Sequence, residues 1–144
     1  MEEKTNEEIK QIEVLLRRIS FKIKTKGREI LSDFNITPPQ FDALQYLICE
    51  GELTISELSS MLYLAPSTIT DLVDRMEKNH LVERIRNTED RRIVRVRALE
   101  KGNLLLEQVI EKRCIYLANS LKAMSLEDKL KFTEYLEILN AATK

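Results

Sequence analysis

Two short helical segments followed by an arginine-rich segment limit the possible folds of this chain more than any other feature. Residues 54–61 open with a Thr-x-x-Glu capping box, and residues 66–76 carry proline at the first helical position. Apolar residues at helical spacing give the second segment one inward face. Residues 81–97 have the pattern of two strands joined by a polar turn. Helix, helix and hairpin in this order predict a winged helix-turn-helix, a fold that inserts one helix into a DNA major groove.

The segments on either side of this region predict long helices. A stripe of isoleucine and leucine runs through residues 6–32, which begin with a capping-box pattern. Thr37 and the prolines after it start a helix that we expect to reach about residue 49. Two further helices are expected, one over about residues 100–122 and one opening at Ser125. The fold class is therefore mainly α with a small β-wing: a winged helix-turn-helix flanked by long dimerisation helices.

We expect residues 1–144 to form a single domain. Its DNA-binding part covers about residues 36–99, with the helix-turn-helix at about 54–79 and the wing at about 81–98. The flanking helices, about 1–35 and 100–144, are expected to mediate dimerisation.

Composition and the N-terminal sequence predict a cytoplasmic protein. With 43% hydrophobic and 33% charged residues, the chain fits a globular protein rich in surface helix. Because the apolar runs are too short for a membrane span and the N-terminus lacks a signal-peptide pattern, we expect no membrane partner.

Charge is concentrated although the net charge is only −1. Between Arg84 and Arg97, six arginines against two carboxylates give a local charge of +4. A local basic patch on a near-neutral chain favours selective DNA binding over general coating of nucleic acid. A second basic block, over residues 17–28, is interpreted either as a solvated helix face or as a flank that contacts phosphates.

The sequence gives no indication of an enzyme or of a cofactor. Cys49 and Cys114 lie in apolar surroundings and are expected to be buried, reduced thiols, since neither has a neighbour that would activate a redox sensor. His80 is the single histidine, so the spacing of a metal site is missing. Neither a nucleophile–base pair nor a glycine-rich phosphate loop is recognisable.

Several strings, in this order and spacing, resemble the MarR family of bacterial and archaeal transcription regulators over nearly the whole chain. They are Thr37-Pro38-Pro39-Gln40-Phe41, Pro66-Ser67-Thr68-Ile69-Thr70, Leu72-Val73-Asp74-Arg75-Met76, Leu81-Val82-Glu83-Arg84, Asp90-Arg91-Arg92 and Glu100-Lys101-Gly102. The resemblance implies a homodimer with interlocked terminal helices and two winged helices that bind a pseudo-palindromic operator in double-stranded DNA. It also implies repression that is released by a small, aromatic or amphipathic effector.

The resemblance further implies which residues contact DNA. The candidate set is Pro66, Ser67, Thr68, Thr70, Asp71, Arg75, Arg84, Arg86, Asp90, Arg91 and Arg92. The hydroxyl residues, Asp71 and Arg75 would lie on the recognition helix, whereas Arg92 would read the minor groove from the wing tip. Asp90 would hold Arg92 through a charge-assisted hydrogen bond. Arg84, Arg86 and Arg91 would contact phosphates.

Two acidic residues on the recognition helix allow different interpretations. Asp71 either accepts a hydrogen bond from cytosine N4 or is neutralised by an arginine of its own chain. For Asp74 the second interpretation is favoured. Three scaffold positions depart from the family pattern: Ala65 and Leu99 replace capping residues, and His80 replaces a turn glycine.

Effector binding is the least defined function in the sequence. Phe21, Phe34, Tyr46 and Tyr116 are candidate pocket residues, although each is also a typical core residue. An alternative function is a winged helix used as a protein-interaction or dimerisation module without specific DNA binding. The basic wing and the hydroxyl-rich helix argue against that alternative.

Overall fold

A computed structural model describes the backbone of residues 2–144 and the side chains of residues 6–144. Helices and a small sheet follow each other in the expected order, which confirms the predicted fold class. Their bounds are α1 Glu2–Asp33, α2 Pro38–Glu50, β1 Leu53–Thr54, α3 Ile55–Leu62, α4 Pro66–Lys78, β2 Val82–Arg86, β3 Val94–Ala98, α5 Glu100–Ser120 and α6 Leu126–Ala142. None of the described helices is long and apolar enough to cross a membrane.

The sheet contains one strand that the sequence did not reveal. The antiparallel order is β1-β3-β2, with Leu53 and Arg84 both paired to Val96 from opposite sides. The two residues of β1 lie directly before α3, so this pairing fixes the start of the helix-turn-helix to the wing. A two-residue strand is too short to produce an alternation pattern in the sequence.

Side-chain caps define several helix starts, as predicted. Thr37 and Gln40 form a reciprocal capping box at α2, and the Thr54 hydroxyl accepts a hydrogen bond from the Glu57 N–H at 3.1 Å. The predicted start of α1 at about residue 6 is wrong, because the helix already begins at Glu2. The glutamate and lysine residues before position 6 are good helix formers, so the helix continues through the capping pattern.

The end of α4 uses a left-handed residue in place of the usual glycine. His80 has φ 61°, and the N–H groups of His80 and Leu81 donate to the carbonyls of Glu77 and Met76, both at 3.0 Å. This backbone pattern closes the helix and turns the chain towards β2. His80 thus occupies the position at which the sequence predicted a turn.

The first turn of α5 is fixed to this turn. The Leu99 N–H donates to the Leu81 carbonyl at 2.9 Å, and the Lys101 ammonium donates to the Asn79 carbonyl at 3.0 Å. A Cβ atom at Gly102 would overlap the Leu81 carbonyl oxygen, so only glycine permits this approach. The Glu-Lys-Gly string therefore has a packing function in this chain.

The chain divides into two compact units, Met1–Val109 and Ile110–Lys144. The first unit has a core in which Leu44, Leu58, Ile69, Met76 and Val96 are fully buried. In the second unit, α6 contains no buried residue.

Both cysteines are exposed, so the prediction of buried thiols is wrong. Cys49 lies in the last turn of α2, two residues after the buried Leu47, and this offset turns it away from the core. Apolar neighbours in the sequence did not indicate the helix face on which each cysteine lies.

Candidate nucleic-acid interface

The recognition helix α4 presents its predicted DNA-binding residues to solvent. Its inner face is held by four buried residues, and the opposite side is exposed, as the spacing predicted. The buried set is Ile69, Leu72, Val73 and Met76, and the exposed set is Pro66, Ser67, Thr68, Thr70, Asp71 and Arg75. All six sequence-predicted residues of this helix are therefore accessible to a ligand.

The start of α4 lacks a side-chain cap. Ala65 precedes Pro66 and makes no capping hydrogen bond, so the first-turn N–H groups are left without a side-chain acceptor. Such N–H groups, together with the positive end of the helix dipole, bind anions well. A phosphate of the DNA backbone could therefore cap this helix.

Thr70 uses its hydroxyl proton within the helix. Its Oγ1 donates to the Pro66 carbonyl at 3.0 Å. The oxygen keeps its capacity to accept, so the amino groups of adenine and cytosine, which are donors, are the base groups that suit it in the major groove.

The wing tip holds Arg92 in a defined orientation. Arg92 donates to Asp90 three times: from its backbone N–H and its Nε to Oδ1, at 3.0 and 3.1 Å, and from Nη2 to Oδ2 at 3.2 Å. The predicted hydrogen bond between the two residues is thus confirmed. The Arg92 side chain is 90% exposed, so its charge remains available to a ligand.

These hydrogen bonds also favour the ionised form of Asp90. The Arg92 side chain, followed by its backbone N–H, holds the pKa of the Asp90 carboxyl below the ordinary value of 3.8. The contact is present at neutral pH, where the carboxyl is ionised, and because the pKa is lowered it is lost only as the pH falls through that lowered value. The wing tip is therefore fully formed at physiological pH.

Arg86 and Arg91 lie beside this tip. Arg86 is exposed and donates from Nη1 to the Arg91 carbonyl at 3.3 Å, and the Arg91 side chain is exposed as well. Asn87 shapes the turn by accepting hydrogen bonds from the N–H groups of Glu89 and Asp90. Both arginines remain candidates for phosphate contact.

Arg84 is placed differently from the expectation. Its side chain is only 24% exposed and forms ion pairs with Asp74 at 2.6 Å and with Glu77 at 3.0 Å. The interpretation of Asp74 as neutralised by an arginine of its own chain is thereby confirmed. With its guanidinium engaged by two carboxylates, Arg84 is a poor candidate for phosphate contact.

Asp71 differs from Asp74 in this respect. Within residues 6–144 no basic side chain forms an ion pair with Asp71, so the proposed neutralisation by the chain's own arginine has no support. Its exposed carboxylate fits the alternative, in which it accepts a hydrogen bond from cytosine N4.

The basic block on α1 is partly neutralised within the helix. Arg17 forms a two-point contact with Glu13 at 2.9 and 3.1 Å, and Lys26 lies 3.4 Å from Glu29. Pairs of this kind, three or four residues apart, are typical of a solvated helix face. They favour that interpretation over a phosphate-contacting flank.

The four predicted pocket residues do not share one cavity. Tyr46 lines a cavity of about 600 Å³ with Cys49 and Tyr63, whereas Phe34 lines another of about 420 Å³. Phe21 is 71% exposed on α1. Tyr116 belongs to the second unit. Effector binding by these residues stays a prediction, because aromatic residue type indicates an apolar environment but not which cavity a side chain faces.

Sequence reasoning missed Glu77 as a member of this site. Glu77 accepts hydrogen bonds from both the backbone N–H and the guanidinium of Arg84. Its half-buried position could have been recognised from its place four residues after the buried Val73, on the same side of the helix. Its partner, however, lies seven residues further on in a different element. Among the side chains that the structure describes, no cluster of three His, Cys, Asp or Glu could hold a metal ion.

Known proteins resemble this chain in sequence and in structure. The sequence model of the MarR family matches residues 36–94. The HTH-type transcriptional regulator YsmB of Bacillus subtilis (strain 168) is 47% identical over 136 residues, covering 94% of this chain and 93% of that protein. The HTH-type transcriptional repressor MdtR of the same organism is 29% identical over 120 residues, covering 83% of this chain and 77% of that protein. The solved structure of a MarR family protein from Bacillus stearothermophilus matches this fold with a TM-score of 0.83. The two sequences are 51% identical, and the match covers 92% of this chain and 93% of that protein.

Proposed function

The chain belongs to the MarR family of DNA-binding transcriptional regulators, and from this premise we propose that it acts as a homodimeric repressor of a pseudo-palindromic operator. Each subunit inserts α4 into a major groove and the wing into the adjacent minor groove. The two-fold symmetry of the dimer is matched by the symmetry of the operator, with recognition helices roughly 34 Å apart. The name of the relative MdtR supports repression as the mode of regulation.

The wing tip is the observation that carries the DNA-binding part of the proposal. Asp90 orients Arg92 without covering it, so a fixed positive charge projects from a short turn. A narrow A·T-rich minor groove has an enhanced negative potential that attracts such an arginine. The exposed hydroxyl residues of α4 supply base and phosphate contacts in the major groove.

Exposed apolar side chains support the homodimer. On α1, Ile9, Ile12, Leu15 and Ile19 are each about half exposed or more. On α6, Leu126, Leu130, Tyr135 and Ile138 are exposed as well. Large apolar surfaces of this kind mark protein interfaces. A second copy of the same chain is the partner that the family fold implies.

Release by an effector is the third part of the proposal. A small aromatic or amphipathic molecule that binds the conformation incompatible with DNA more tightly than the other would lower operator affinity. The cavity lined by Tyr46 and the one lined by Phe34 are both large enough for such a molecule. No contact to a base needs to change for this release.

Selection of binding sites with the purified protein tests the proposal. A pool of genomic fragments is incubated with the protein at a stated KCl concentration, and bound fragments are sequenced. The expected result is an inverted repeat with half-sites about 10 base pairs apart, bound more weakly as salt increases.

Two results would contradict the proposal. Recovery of fragments without a shared sequence would exclude an operator. Binding that is independent of salt and sequence would favour the alternative, in which the winged helix is a protein-interaction module.

A further inference from the structure

Arg84 lies at the corner between the recognition helix and the wing. It is the third residue of β2, and its contacts return to α4. The guanidinium reaches Asp74 at 2.6 Å, Glu77 at 3.0 Å and the Thr70 carbonyl at 3.3 Å. The Arg84 backbone N–H donates to the second oxygen of Glu77 at 2.8 Å. One residue of the wing thus contacts three residues of α4 that lie on successive turns of that helix.

The positions that Arg84 contacts are spaced along one side of α4. Thr70, Asp74 and Glu77 follow each other at steps of four and three residues, which places them in one row on the helix surface. Glu77 lies at the end of this row, and its carboxylate also accepts a hydrogen bond from the Arg84 backbone N–H in β2. The row and the strand are therefore held at a fixed mutual angle by charge-assisted hydrogen bonds, which are stronger than neutral ones.

The arginines of the wing tip have a different environment. Arg92 is 90% exposed, whereas Arg84 is 24% exposed and has two carboxylate partners. A guanidinium paired with two carboxylates has lost most of its attraction for a further anion. Contact of Arg84 with phosphate would require breaking these pairs.

We propose that Arg84 is a positioning residue, which fixes the angle between the wing and α4 so that both grooves are reached at the same time. Asp74 and Glu77 act with it, although both carry the same charge sign as DNA. The inference rests on the proposed DNA interface and assigns a function to residues within it. It replaces the expected phosphate contact of Arg84.

Salt dependence distinguishes positioning from phosphate contact. Each phosphate contact that is lost reduces the slope of log affinity against log salt by about 0.9. A positioning residue changes the affinity but leaves the slope nearly unchanged. Substitution of Asp74 distinguishes the two by the direction of the affinity change. If only electrostatics mattered, removing a negative charge near DNA would strengthen binding. If Asp74 helps to hold the wing, its removal weakens binding.

The experiment compares Arg84→Gln, Asp74→Asn and the control Arg86→Gln in the full chain. Affinity for a fluorescein-labelled duplex of the selected operator is measured by anisotropy at several KCl concentrations, and circular dichroism verifies folding. We expect Arg84→Gln and Asp74→Asn to weaken binding by about three- to thirtyfold with an unchanged slope. Arg86→Gln is expected to reduce the slope by about 1.8, because each dimer loses two phosphate contacts at about 0.9 each.

A DNA footprint distinguishes a misplaced wing from a general loss of protein stability, because lost stability would weaken all protected positions together. In hydroxyl-radical footprinting at saturating protein, which reports protection of the deoxyribose backbone, Asp74→Asn should lose protection beneath the wing and keep protection of the backbone that flanks the two recognition helices. Should Arg84→Gln fail to fold, Asp74→Asn and Glu77→Gln still decide the question.

Different outcomes overturn different statements. Stronger binding by Asp74→Asn, or a slope reduced by about 1.8 in Arg84→Gln, would overturn the positioning function while the proposed DNA binding stands. Equal affinity of the unaltered protein for operator and scrambled duplex would overturn the proposed function together with this inference.

Discussion

The winged helix and helix α6 use apolar side chains in opposite ways. In the first unit, Leu58, Ile69 and Met76 are fully buried by neighbours from the same chain. In α6, no residue is buried, although leucine, isoleucine and aromatic residues occur along its whole length. The stability of the winged helix is therefore intrinsic to one chain, whereas the apolar surface of α6 is available for association.

Charged residues on α6 give the largest effect that we expect. Glutamate in place of the exposed Leu136 and Leu139 would bury two charges of each subunit in the proposed dimer interface, so the double variant should be monomeric. Loss of the second recognition helix should lower operator affinity by about a hundredfold or more. Sedimentation and anisotropy measure the two effects. Asn140→Glu, at an exposed polar position of the same helix, should change neither.

Truncation in the winged-helix core should have an effect of a different kind. Leu58→Ala removes a fully buried side chain and should lower the free energy of unfolding by about 2–5 kcal/mol. Urea denaturation at several protein concentrations measures this loss. Because Leu58 lies in the core of one chain, the loss should be the same at every concentration; a loss that changes with concentration would contradict the comparison.

Arg92→Ala should weaken operator binding by about tenfold while leaving the fold intact. The salt slope should decrease by about 1.8, since both subunits lose a contact, and the preference for A·T pairs beneath the wing should weaken. Arg97→Ala is the matched control, since Arg97 pairs with Glu83 across the sheet, with 2.6 Å between Nε and the carboxylate. Equal operator affinity of Arg92→Ala and the unaltered protein would exclude the function assigned to the wing tip.

Ala65→Ser should give the smallest effect, a gain in stability. A serine hydroxyl at the uncapped start of α4 can accept a first-turn N–H, which is worth about 1 kcal/mol. Thermal unfolding should therefore shift upward. An unchanged or lower midpoint would show that the first turn of α4 does not need a side-chain acceptor in the free protein.

Local patterns in the sequence predicted local structure well. The caps at Thr37 and Thr54, the turn at His80 and the contact of Asp90 with Arg92 all involve residues within a few positions of one another. Such contacts follow from residue type and spacing alone.

Contacts between distant elements were not accessible from the sequence. Arg84 was expected to contact phosphate because its basic side chain lies in a basic strand, and its carboxylate partners belong to α4. The exposure of Cys49 depends on the face of α2 that meets the core. The distribution of Phe34 and Tyr46 over two cavities depends on the packing of several elements at once.

The central claim is that two winged helices are held on adjacent turns of one duplex. The most direct test of this claim changes the spacing between the half-sites. Five base pairs inserted between the half-sites of the selected operator move one of them by about half a turn to the other side of the DNA. The account predicts an affinity loss of about a hundredfold, because one dimer can no longer engage both half-sites. Unchanged affinity for the lengthened operator would contradict it.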